Sequence, residues 1–192
     1  VNKLGLQAEK EIRKATEILS QGIHCKPSEI FYTSGGTEGD NWAIFGTAQG
    51  YQRQGKHIIT TAIEHPAVKK PLQALEERGY PVTWLGVDKA GNINLEELEK
   101  SIRKDTILVS VILVNNETGT IQNAVEIGNI IKQKNPHTLF HVDAVQAFGK
   151  YPIDVQKMKI DMLTMSGHKI NGPKGVGMLY QKEGLKVRPY LL

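Results

Sequence analysis

A lysine stands where a buried strand should end. Asp161-Met162-Leu163-Thr164-Met165 is a largely apolar run, and Ser166-Gly167-His168-Lys169 follows it, leading into the glycine-rich stretch from Ile170 to Gly175. A solvated charge gains nothing from that position. An amine that must lose its proton and attack a carbonyl does, and the product is a Schiff base. The plain alternative is a lysine in a surface loop, the commonest place for that residue. A Schiff-base lysine needs company: an acid for a cofactor ring, a cradle for an anion, and a flat group to stack.

Each has candidates. Phe140-His141-Val142-Asp143 puts an acid at the end of an apolar run. A buried carboxylate without a partner is costly, and a pyridinium N–H would justify it. A helix N-cap would serve as well. Gln146, three residues on, could reach a ring oxygen. Ser34-Gly35-Gly36-Thr37-Glu38-Gly39 joins a strand to a helix. Its glycines would let backbone N–H groups approach an anion at a helix start, with Thr37 adding a hydroxyl. It reads equally as a plain turn with Thr37 as N-cap, and it is neither a Walker loop nor G-x-G-x-x-G. His65, before Pro66, offers a ring that stacks and exchanges protons near neutral pH, or one that caps a helix. Asn115-Asn116-Glu117 abruptly ends the most apolar strand; an amide there can donate to a phenolate oxygen or simply make a turn. Ser166 and His168 are donors suited to phosphate. Taken together, these are the parts of a pyridoxal 5′-phosphate site.

The elements must bring them together. Apolar spacing predicts a helix over residues 4–21, stopped at Gly22, and later helices over 41–49, 66–78, 95–102 and 124–134. Strands are predicted over 30–32, 57–61, 82–85, 107–114, 139–142, 162–165 and 176–180. Alternating strands and helices, with nearly continuous apolar strands, predict an α/β fold: a mostly parallel (mixed) sheet with helices on both faces. Ligands of such sheets bind beyond the carboxyl ends of strands, where all the polar candidates fall. Asp143 and Lys169 are 26 residues apart, about one strand–helix–strand unit, which predicts nearby strands.

Composition narrows the classes. The 192 residues are 40% hydrophobic and 23% charged, an ordinary globular balance that fits one domain. Net charge is +4, without the aromatic-interleaved basic stripe of a nucleic-acid binder. The basic tail from Lys182 to Arg188 reads as a solvated face. One cysteine, Cys25, can form neither an internal disulfide nor a structural zinc site, and it reads as a small hydrophobe. No apolar run spans a membrane, so a cytoplasmic location is the expectation, with no metal, nucleic acid or membrane partner. Val1 and the apolar Tyr190-Leu191-Leu192 predict a piece of a longer polypeptide.

The chain resembles the cysteine desulfurases, in the class V aminotransferase group of type I pyridoxal-phosphate enzymes. The matching runs are Tyr32 to Glu38, Glu64-His65, Asn115 to Gly119, His141 to Gln146, and Ser166 through Gly177. The resemblance implies that residues 1–192 form the cofactor-binding large domain. It implies that Lys169 holds the cofactor, Asp143 pairs with its ring nitrogen, and His65 stacks and takes part in proton transfer. Asn116 and Gln146 would address the ring oxygen and substrate side. Gly36, Thr37, Ser166 and His168 would bind the phosphate. The implied activity converts L-cysteine to L-alanine and passes sulfur to an enzyme cysteine as a persulfide, for iron–sulfur cluster or thio-cofactor assembly. A homodimer and a sulfur-acceptor or scaffold protein are the implied partners.

Three departures follow from the same resemblance. The family's N-terminal segment is missing. So are the catalytic cysteine, the substrate-binding arginine and the small C-terminal domain, so this chain alone should not complete sulfur transfer. Gly39 stands where Asn or Ser is common, which would weaken a phosphate-side contact. Two other readings stand beside this one: selenocysteine lyase or another class V lyase or aminotransferase, and a non-catalytic fragment that serves as a dimerisation or interaction module.

Overall fold

The computed structural model describes residues 2–189; the predicted terminal features at Val1 and residues 190–192 lie outside them. Seven strands form one sheet in the order β1-β7-β6-β5-β4-β2-β3. They are β1 (Ile30–Thr33), β2 (His57–Thr61), β3 (Val82–Leu85), β4 (Thr106–Ile112), β5 (Leu139–Asp143), β6 (Met162–Ser166) and β7 (Gly177–Gln181). From β6 to β3 all pairs are parallel, while β7 runs antiparallel to both β6 and β1. The mixed, mostly parallel sheet is as predicted.

Two apolar layers cover it. Helices α2 (Gly36–Tyr51) and α3 (Pro66–Glu77) pack Ala43, Ile44, Val68 and Leu72 against Ile58, Leu108, Leu139 and Met162 on one face. Helices α4 (Leu95–Ser101) and α5 (Ala124–Lys134) bury Leu98, Ile127 and Ile131 against Val109, Phe140 and Leu163 on the other. Strand side chains alternate between faces. On β5, Phe140 and Val142 join the α5 side. His141 and Asp143 therefore point the other way, beneath α2.

Several boundaries differ from the sequence reading, each for a local reason. Helix α1 (Lys3–Ile23) runs through Gly22 and ends one residue past it, because His24 adopts the left-handed cap and its N–H reaches Gln21 O and Ser20 O. Only Ser20 and Ile23 of α1 are buried; Leu4, Ile12 and Ile18 are exposed despite their helical spacing. Helix α2 begins at Gly36, not Asn41, so the N-cap is Gly35 rather than Thr37. Strand β4 stops at Ile112; Leu113 N still donates to Asp143 O, but its carbonyl accepts from Gln122 N, and Val114 bridges Ile121. Asp143 and Lys169 do follow neighbouring strands, but no helix links them: the connection from 144 to 160 is a series of turns.

Candidate active site

Lys169 sits in a short 3-10 turn, Gly167–Ile170, that leaves β6 directly. Asn171 closes the turn in the left-handed conformation, and Gly172 N donates to Gly167 O at 2.9 Å. The side chain is exposed at a cleft, and among the described residues its amine has neither a hydrogen bond nor an ion pair. That is an unspent cation facing a built site.

The cleft holds about 230 Å³, and Gly36, Thr37, His65, Asn116, Asp143, Gln146, Ser166, His168 and Lys169 all line it. Its size is below the ~300–1,000 Å³ of drug-sized sites and suits one small ring. The predicted residues therefore come together, from five chain segments at the carboxyl edge of the parallel strands. A larger groove of about 850 Å³ lies elsewhere, among Lys26, Lys132, Asp161 and Glu183. There the charges are already paired, Lys132 with Asp161 and Lys26 with Glu183.

Each wall has a local cause. The N-terminus of α2 carries no side-chain cap, because Gly35 has none to offer. Asn2, His65, Asn94 and Asn123 do cap α1, α3, α4 and α5. The first N–H groups of α2 thus face the cleft unfilled, at the positive end of the helix dipole. Gly36 is also needed for close approach: a Cβ there would fall 2.7 Å from Val145 Cγ2. Glu38 folds back on Ser34, accepting from its N and Oγ, both at 2.6 Å. Those two hydrogen bonds hold its carboxyl below the usual range.

Gly39 has a different role from the one the resemblance implied. It is buried against β6, where a Cβ would lie 2.6 Å from Thr164 Cγ2, and it does not line the cleft. A side chain there would force Thr164 or α2 to shift, so Gly39 allows the close approach of helix and sheet.

Other residues combine a local hydrogen bond with a place on the cleft wall, though Asp143 caps a turn and not the helix that was its alternative reading. His65 caps α3, its Nδ1 accepting from Ala67 N at 3.1 Å, while its ring lines the cleft. With Nδ1 accepting, a neutral ring carries its proton on Nε2. Asp143 Oδ1 accepts from Val145 N at 2.9 Å in a tight turn, and the carboxyl still faces the cleft. Burial pushes Asp143 above the ordinary carboxylate range, while the Val145 N–H and nearby His65 pull it back. Ser166 Oγ and His168 Nδ1 bond each other at 2.8 Å, which leaves His168 Nε2 free.

Two residues from the predicted constellation brace it and do not line it. Asn115 accepts from the backbone N–H groups of Glu117 and Thr118 and donates to Ile63 O at 2.9 Å. The turn chemistry belongs to Asn115, and Asn116 is left to face the cleft. Glu64 Oε1 accepts from Thr61 Oγ1 at 2.6 Å and from Ile112 N at 2.8 Å, tying the ends of β2 and β4 together.

The sequence reading missed Asp40. It lies one turn after Gly36 on α2 and lines the cleft while almost wholly buried. Gly36 and Asp40 stand i, i+4 on one face of α2, a relation hidden from the sequence once the helix is started at Asn41.

Cys25 lies at the opposite edge of the sheet, before the start of β1, half-buried and packed on the core. Burial, and then nearby Glu29, pushes its thiol up to about 12. Thiolate is the reactive form. Alkylation by iodoacetamide at neutral pH should therefore be at least ~100-fold slower than that of an unstructured cysteine. Labelling at the free-cysteine rate would show that Cys25 is not held as described.

Comparison with known proteins decides the family. The model for the class-V aminotransferases matches residues 1–191. The chain belongs to the class-V aminotransferase family. A cysteine desulfurase IscS of Clostridium botulinum is 49% identical over 182 residues, 95% of this chain and 45% of that relative. The solved structure of a NifS-like protein superposes with a TM-score of 0.96 at 42% identity, over all of this chain and 52% of that one. A structure described as SspA in complex with cysteine gives a TM-score of 0.94 at 38% identity, over all of this chain and 55% of that one. This class-V aminotransferase chain spans about half the length of the curated relatives it matches.

Proposed function

We propose that the cleft binds pyridoxal 5′-phosphate and that the whole protein is a cysteine desulfurase, taking L-cysteine to L-alanine and passing the sulfur to an enzyme cysteine as a persulfide. One observation carries the reading: an unpartnered lysine amine and a buried carboxyl share one small cleft with an uncapped helix N-terminus. The three match, in turn, the aldehyde, the ring nitrogen and the phosphate of that cofactor. Relatives named as cysteine desulfurases, and a related structure with cysteine, support the substrate class.

When bound, the cofactor supplies an electrophilic carbon and a ring that withdraws electrons. The chain supplies the rest. Lys169 Nζ is the amine for covalent attachment and, once released, a base able to carry a proton. Asp143 accepts the ring N–H and holds it protonated by charge. The first N–H groups of α2, the Thr37 hydroxyl, Ser166 and His168 hold the phosphate. Asn116 and Gln146 present amide donors to the ring oxygen and substrate side. The His65 ring stacks, with Nε2 available for proton exchange. A homodimer, a sulfur-acceptor or scaffold protein, a place in iron–sulfur cluster assembly and a cytoplasmic location belong to the same proposal.

Titration with pyridoxal phosphate should produce a violet absorbance band that borohydride bleaches, leaving the cofactor covalently on the Lys169 peptide by mass spectrometry. Lys169→Ala should lose both signals. Attachment at another lysine, or a band unchanged in Lys169→Ala, would overturn the assignment.

A further inference from the structure

Three buried acids lie near one another here: Asp40 on α2 and Asp143 at the end of β5 line the cleft, and Glu64 after β2 stands outside its lining. Among the described residues, no Lys or Arg nitrogen lies within 4.0 Å of any of them. The nearest basic group is His141 Nε2, 3.5 Å from Asp40 Oδ1.

His141 cannot serve as a counter-charge. It is wholly buried, and burial pushes its imidazole down to about 3. Both its nitrogens are engaged by neutral hydroxyls: Nδ1 with Ser110 Oγ at 2.8 Å and Nε2 with Thr164 Oγ1 at 2.9 Å. The Thr164 hydroxyl also lies near Asp40 as a potential donor, and it pulls that carboxyl down against the larger push of burial. With the Thr164 proton turned to Asp40, Thr164 accepts from His141 Nε2–H, and Nδ1 accepts from Ser110. The result is a one-way chain, Ser110 to His141 to Thr164 to Asp40, laid across β4, β5 and β6. Register explains it: Ser110 pairs with His141, and Asp143 with Thr164, on the α2 face of the sheet.

Thr164 is the hydroxyl turned toward Asp40, and among the described residues Asp40 Oδ1 has no hydrogen-bond partner. Asp143 is better served, with the Val145 N–H at 2.9 Å and His65 nearby. Two carboxyls facing one buried cleft cannot both ionise, and the charge settles where the donors are. Burial and then Asp143 both push Asp40 well above the ordinary range, which agrees.

We propose that Asp40 is a positioning residue that stays a neutral carboxylic acid and so confines the negative charge of the Asp40–Asp143 pair to Asp143. The consequence for the cofactor rests on the pyridoxal-phosphate reading above; the protonation of Asp40 does not. With a pyridinium present, a neutral Asp40 leaves the buried set balanced, one positive ring against one carboxylate. An ionised Asp40 would add an unpaired buried charge.

Infrared spectra of the wild-type chain at neutral pH, with and without ¹³C-labelled aspartate, test this directly. A protonated aspartic-acid carbonyl band is expected, shifted by the label. Asp40→Asn should remove it. No such band, or a band that Asp40→Asn leaves in place, overturns the proposal; if Asp40→Asn does not fold, Asp40→Ala, which should also remove the band, decides it. Cofactor titration gives a second readout. Asp40→Ala leaves a hole beside Asp143 and should cost roughly tenfold in affinity. Asp40→Asn, with the same shape and no charge, should recover most of it. Equal loss in both variants overturns the neutral role. A wild-type chain with the infrared band but no cofactor binding would sink the proposed function and leave Asp40 standing.

Discussion

Asp143→Asn should weaken pyridoxal phosphate binding on the order of 100-fold, about 3 kcal/mol, and at the same time make the cofactor-free chain more stable. The two effects have one cause. Without a cofactor, Asp143 is a buried acid held by one backbone N–H. Its folded-state pKa is raised, chiefly by burial. A raised acid contributes stability at pH below its unfolded value and loses that contribution as pH rises through the folded value. At neutral pH the group therefore costs the fold, and an isosteric amide that keeps the Val145 contact relieves the cost. The cofactor reverses the balance, because the pyridinium is the missing partner. Absorbance titration and urea melts on the same preparation measure both quantities. Affinity and stability falling together would make Asp143 an ordinary structural aspartate and sink its assignment.

The opposed signs bear on what a sequence can reveal. Asp143, Lys169 and the glycine turn were legible because each broke a local expectation: an acid ending an apolar strand, a lysine after another, glycines where a helix should begin. The rule that ligands bind beyond strand carboxyl ends then collected them at one edge. Which member of each loop faces inward was not legible. Asn115 and Asn116 are chemically the same, and only the hydrogen bonds of Asn115 to its own turn and to Ile63 decide between them. The start of α2 was misplaced because Gly35 and Gly36 punctuate a sequence whether or not a helix follows. Val114 looked like strand because it is apolar, yet it pairs in an isolated bridge to Ile121 after β4 has ended. Asp40 was hidden for a different reason: its chemistry comes from β5 and β6, more than a hundred residues downstream, and no window of sequence contains them.

His141 shows how deep the polar layer runs. A fully buried histidine two residues before the cleft acid is a core residue by every local sign. It is also the link through which Ser110 and Thr164 bear on Asp40. The α2 face of the sheet is therefore apolar toward its amino end, at Leu108, Leu139 and Met162, and hydrogen-bonded toward the cleft. That gradient confines the cost of buried polar groups to the end where a ligand can repay it.

Glu64 is where the cost should be measurable without any ligand. Burial pushes its carboxyl from an ordinary 4.5 to about 8, against the pull of Thr61 and Ile112 N–H. Among the described residues, one oxygen, Oε2, has no hydrogen-bond partner. The stability tied to its proton is fully present below about pH 4.5 and is lost progressively as pH rises to about 8. Linkage makes that about 1.4 kcal/mol per pH unit across the window, several kcal/mol in all. Glu64→Gln keeps an oxygen for Thr61 and Ile112 and cannot ionise. Relative to wild type it should gain stability steadily from about pH 5, with the gain levelling off above about pH 8. Asp40 and Asp143 slope in the same direction in both proteins, so the difference between urea midpoints reads Glu64 together with the push its charge exerts on those two acids. A difference that stays constant from pH 5 to pH 9 would mean that Glu64 is ionised throughout. The brace between β2 and β4 would then be a charged one, stabilised by contacts other than those described.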